Sequence, residues 1–94
     1  IMNRLLVEAR VEAERAIIEI ESAMKTDGHL LSDAERSLIS RQMQVVKRAC
    51  EGEDRDYIDV EVQELGRVAQ NFAEQRMNAS IALALHGKNI SETT

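Results

Sequence analysis

The sequence predicts an all-α fold: a small antiparallel three-helix bundle with a long first helix and a short fourth C-terminal helix. Three observations predict it. The 94 residues contain no proline, four glycines and only 2% aromatic residues, a composition that favours helices over strands by propensity and by lack of turn punctuation. Apolar residues recur at steps of three and four over long stretches, which places them on single helix faces. The breaks between those stretches are short, so consecutive helices must be antiparallel neighbours.

The first helix is expected from about Asn3 to Thr26. Leu6, Ala9, Ala13, Ala16, Ile17, Ile20 and Met24 form its stripe, and Gly28 is placed for a left-handed C-terminal cap. Ser32, followed three residues later by Glu35, is a capping box that starts a second helix at Asp33. Leu38, Ile39, Val45, Val46, Ala49 and Cys50 give that helix a broad apolar face, and Gly52 is placed to stop it. Asp54 can cap a third helix beginning at Arg55, because its carboxylate satisfies an otherwise orphan amide and complements the helix dipole. Ile58, Val62, Leu65, Ala69 and Phe72 make the third stripe. Past Arg76 the apolar face rotates to Met77, Ile81 and Leu85, which predicts a kink or a fresh fourth helix capped by Asn78 and closed by Gly87. Residues 87–94 read as a polar C-terminal tail, leaving 1–86 as the helical unit.

A chain of this size buries roughly 60% of its unfolded surface, too little for a large enclosed active site. Seventeen acidic residues against twelve lysines and arginines, net charge -5, argue against nucleic acid or an anionic membrane as partner. A lone cysteine excludes an internal disulfide framework and suits a reducing, cytoplasmic setting. No run has the length and apolarity to span a bilayer, and no signal peptide is recognisable. The opening "IMNRLL" is already in helical pattern with Ile1 ahead of Met2, as expected of a piece of a longer chain.

The first helix carries more than a core stripe. At about 100° per residue, Val7, Val11 and Ile18 fall nearly opposite the stripe that runs from Leu6 to Met24, with Glu14 beside them. A surface helix of a self-sufficient bundle needs one apolar side, so the second marks contact with something absent from this chain. Scattered β-branched residues are also common on surfaces, and the pattern alone leaves both readings open.

Chemistry is harder to place. "CEGEDRDYIDVEVQEL", Cys50 to Leu65, holds seven carboxylates, yet its glycine and glutamate are not at the spacings of a calcium loop, so a solvated joint between helices is expected. Cys50 lies on an apolar face with no C-x-x-C and no histidine nearby, which favours packing over thiolate chemistry. His29 in a turn and His86 near a helix end have no nucleophile and carboxylate arranged around them. With no phosphate loop, zinc spacing or triad, the chain is expected to be no enzyme and to bind no metal or cofactor.

The joint carries a resemblance. "GEDRDYIDVEVQELGRVAQNFA", Gly52 to Ala73, resembles the C-terminal helical lid of the DnaK-type, seventy-kilodalton heat-shock chaperones. "EARVEAERAI", "HLLSDAERSLI" and "FAEQRMNASIALALHGKNISE" are most similar to the HscA branch, devoted to iron-sulfur cluster assembly. Together these pieces cover Glu8 to Glu92, in order. The resemblance implies a lid that closes over a client peptide held by a β-sandwich domain not contained here. It implies that ATP and ADP belong to the full-length relative, and that the client is an iron-sulfur scaffold protein delivered with a J-type co-chaperone. It further implies that Val7, Val11, Glu14 and Ile18 form the interdomain face, with Glu14 at or near the position of the family's lid latch, where Asp is commoner. Without its sandwich, such a face is expected to promote self-association. The competing reading is a freestanding helical adaptor that binds a partner helix in one groove.

Overall fold

The computed structural model describes residues 4–93, with side chains described for 4–85. Helix α1 spans Arg4–Asp27, a single 3-10 turn follows at Gly28–Leu30, α2 spans Asp33–Glu51 and α3 spans Arg55–Thr93. Among the described residues there is no strand.

The starts of α2 and α3 are fixed locally. The Ser32 hydroxyl accepts the Glu35 amide at 3.1 Å while the Glu35 carboxylate accepts the Ser32 amide at 2.8 Å, so two orphan donors of the first turn are satisfied reciprocally. At α3, the Asp54 carboxylate accepts the Tyr57 amide at 3.1 Å.

The stops differ from expectation. No described glycine has positive φ, so Gly28 does not cap α1 in the left-handed conformation. Instead the chain tightens into the 3-10 turn, and the buried Gly28 carbonyl accepts the Leu31 amide and the Arg36 guanidinium, both at 3.1 Å. Those two donors do the work that a left-handed glycine would have done. Gly52 does end α2, but on extended backbone, its amide donating to the Ala49 carbonyl at 3.1 Å.

The helices pack along heptad-spaced seams. Leu6, Ala9, Ala13, Ile17 and Ala23 of α1, Leu31 of the joint, Ile39, Met43, Val46 and Ala49 of α2, and Ile58, Leu65 and Phe72 of α3 form the core. Alanines dominate the α1 seam and let its backbone approach its neighbours closely, while Ile39, Val46, Ile58 and Leu65 supply the volume at the centre. Met43 and Ala23 join the core beyond the predicted sets, whereas Leu38 is exposed. Contacts between α2 and α3 run in opposite order, Glu35 meeting Asn71 and Gln42 meeting Glu61, as antiparallel neighbours do.

The fourth helix is not separate: α3 is one helix of 39 residues. Residues 76–85, "RMNASIALAL", are mostly strong helix formers, and Asn78 is exposed within the helix and starts nothing. The rotation of the apolar face has another cause. The heptad line Ile58, Leu65, Phe72 continues through Ala79 and Leu83, but α3 has passed the end of the bundle, and Leu83 is 78% exposed. Helix also continues through the segment read as a tail, as far as Thr93; the boundary at residue 87 lies outside the described side chains.

Candidate functional site

Helix α1 divides cleanly into two sides. Its seam faces α2 and α3, and on the opposite side Val7, Val11 and Ile18 stand in solvent, from 37% exposed at Val7 to 64% at Ile18. Glu14 is exposed between them. The four residues span about 16 Å of helix and share one side of α1. By the same geometry Arg4, Arg15 and Lys25 border the strip, giving an apolar centre with cations along it and Glu14 at one edge.

The strip is held rigidly from beneath. Arg10, one turn before Glu14, donates through its guanidinium to the Gly52 carbonyl and ties α1 to the α2–α3 joint. Cys50 packs half-buried beside this tie against the core. Burial pushes its thiol up, the Glu14 carboxylate adds to that and Arg10 opposes it, so the balance disfavours the thiolate. The acidic stretch after Cys50 is similarly occupied with structure: Asp54 caps α3, Asp56 and Asp59 pair with Arg55, Glu61 accepts from Gln42 and Glu64 pairs with Arg67.

Two further features stand out, the second on the apolar face that the sequence already placed at Met77, Ile81 and Leu85. One is a groove of about 340 Å³ where α3 leaves the bundle, lined by Asp27, His29, Leu30, Arg76, Ala79, Ser80 and Leu83. Arg76 bridges its base, bonding Asp27 at 2.8 Å and lying over the Phe72 ring at 5.7 Å. The other is the exposed apolar surface of distal α3: Met77, Ile81, Leu83 and Leu85. The signal for both was the heptad line running longer than α1 can match. His29 lines the groove, and His86 lies outside the described side chains. Neither strip nor groove assembles a nucleophile with a base, and no group of three or more metal-ligating side chains occurs among the described residues. No helix of the described residues is long and apolar enough to cross a membrane. What the arrangement offers is a surface for docking.

Comparison with known proteins supplies the family. No protein-family model matches the chain. It is 42% identical over 87 residues, 93% of its length, to the chaperone protein HscA homolog of Variovorax paradoxus. It is 39% identical over 92 residues, 98% of its length, to the chaperone protein HscA of Klebsiella pneumoniae, and 40% identical over 90 residues, 96% of its length, to the HscA homolog of Methylibium petroleiphilum. The chain spans only 14% to 15% of the length of these relatives. Matched over 93% to 98% of its length at this identity, and built of helices without strands among the described residues, the chain belongs to the HscA chaperone family, of which it is a helical segment.

Proposed function

We propose that this segment is the C-terminal lid of an HscA-type chaperone, closing over client peptide held by the β-sandwich of the longer protein. The observation that carries the reading is the second face of α1. Val7, Val11 and Ile18 are apolar and exposed on a helix whose opposite side is already committed to the core. Burying such a side chain fully contributes roughly 1.5–3 kcal/mol, so three of them hold a lid shut without locking it. That is the strength a reversible clamp needs. Glu14, exposed at the edge of the strip, is the candidate latch to a donor on the sandwich rim.

In this reading residues 1–86 are the lid proper. ATP binding and hydrolysis belong to the rest of the longer protein, the client is an iron-sulfur scaffold protein and a J-type co-chaperone delivers it. The chain itself catalyses nothing and holds no cofactor.

Calorimetry on the 94-residue chain with ATP, ADP and a scaffold-derived peptide should give no binding; micromolar peptide affinity would overturn the lid reading. In the longer protein, Val11→Asp together with Ile18→Asp should speed release of a fluorescent client peptide from the ADP state by roughly tenfold or more. Such a change corresponds to about 1.4 kcal/mol of lost docking. An unchanged release rate would remove α1's outer face from the clamp.

A further inference from the structure

The two edges of the α1 strip carry opposite charge, and a single latch at Glu14 leaves one of them unused. Measured from Ile18 at about 100° per residue, Val7 and Val11 lie within about 20° of the centre of the strip. Glu14 and Glu21 lie about 40° and 60° to one side, Arg4 and Arg15 about 40° and 60° to the other. Glu21 is already paired with Lys47, at 3.3 Å. Arg4, Glu14 and Arg15 are exposed and take part in none of the ion pairs among the described residues. Even Glu12 and Glu19, each about one turn from Arg15, make no ion pair with it, and they point a further 40° to 60° or so around the helix.

We propose that Arg4 and Arg15 dock on carboxylates of the β-sandwich, so that an acidic row on one side of the strip and a cationic row on the other set the direction in which α1 lies. The proposal rests on the lid reading and names the chemistry of the surface beneath the lid. The chain spans only 14% to 15% of the length of its relatives, which leaves ample surface in the longer protein to cover α1.

The apolar centre cannot set direction alone. Val7, Val11 and Ile18 are all β-branched and similar in size, and turning α1 end for end about the normal to the strip leaves an apolar centre in place. The same turn exchanges the edges. Glu14 then faces the carboxylates and Arg15 faces the cation, two like-charge contacts that disfavour reversed docking. A second copy of α1 laid antiparallel on the strip meets the same objection, because that symmetry sets acidic edge against acidic edge.

Release of a fluorescent client peptide from the ADP state of the longer protein tests the assignment. Arg15→Glu should speed release by about two- to fivefold, the scale of one exposed ion pair. Glu14→Arg combined with Arg15→Glu keeps the composition of charge but exchanges the edges, and should speed release more than Arg15→Glu alone. Arg41→Glu removes an exposed cation of α2 that is in no ion pair among the described residues, and should change nothing. Release from the unaltered protein should quicken as salt rises from about 0.05 to 0.5 M, and Arg15→Gln should flatten that dependence. Circular dichroism of each variant separates lost docking from lost helix. Val11→Asp with Ile18→Asp distinguishes the two readings: if it speeds release while the Arg15 and edge-exchange variants do not, the lid stands and this proposal falls; if it too changes nothing, both fall. Release quickened equally by Arg41→Glu would assign the effect to net charge, and a dimer of the 94-residue chain that Arg15→Glu abolishes would assign the edge to a second copy; either overturns the proposal.

Discussion

Glu35 does two jobs with one carboxylate. Its first oxygen accepts the Ser32 amide and closes the capping box, while the second accepts the Asn71 side-chain amide and joins α2 to α3. The Ser32 bonds, backbone first and hydroxyl second, and then Asn71 hold its carboxyl below the ordinary value of 4.5. A carboxylate depressed in the folded state stabilises the fold fully above its unfolded value, and the stabilisation is lost as pH falls through the folded one. The melting temperature should therefore drop as pH falls below about 4.5, and Glu35→Gln should flatten that drop. Equal acid sensitivity in both proteins would show that other carboxylates dominate. Removing the reciprocal partner by Ser32→Ala should cost about 0.5–2 kcal/mol at neutral pH, measured by urea denaturation.

At the scale of elements, α3 shows what local sequence determines and what it does not. Gly66 sits exposed in its interior with open space where a Cβ would be and no positive φ. Gly66→Ala should thus stabilise the chain by about 0.5–1 kcal/mol, through helix propensity and a less free unfolded chain. A destabilised variant would mean that something approaches this spot too closely for a methyl group. The capping box at Ser32 and the Asp54 cap were legible because each is complete within four residues. The core stripes were legible because their period is that of the helix. The continuity of α3 past Arg76 was misread, since a turning apolar face looks the same whether the backbone breaks or its neighbours end. Gly28 was misread for the converse reason: its role is set by Arg36, eight residues later, and no window around the glycine contains that guanidinium's position. The docking strip on α1 was visible as surplus hydrophobicity, whereas the groove at Asp27, His29 and Arg76 depends on a pairing 49 residues apart.

The whole molecule is slender, 28 by 18 Å in its short dimensions, so its core is a thin column shared by three helices with four side chains filling its centre. A column this slender has no second layer to relax into a void. Leu65→Ala, at a site 1% exposed within the shared core, should cost about 2–5 kcal/mol, a large part of what a small domain possesses. Loss below 1 kcal/mol in a denaturation series would show that the helices close over the gap. The long dimension is 65 Å, and most of it is α3. Beyond the Arg76–Asp27 bridge the helix continues to Thr93, a rod about 25 Å long clamped at one end. Mechanically it is a lever: a tilt of about 10° at the clamp displaces the tip by about 4 Å over that length. A body that moves the tip therefore applies torque to the end of α1, where the Arg76–Asp27 ion pair ties the base of the rod.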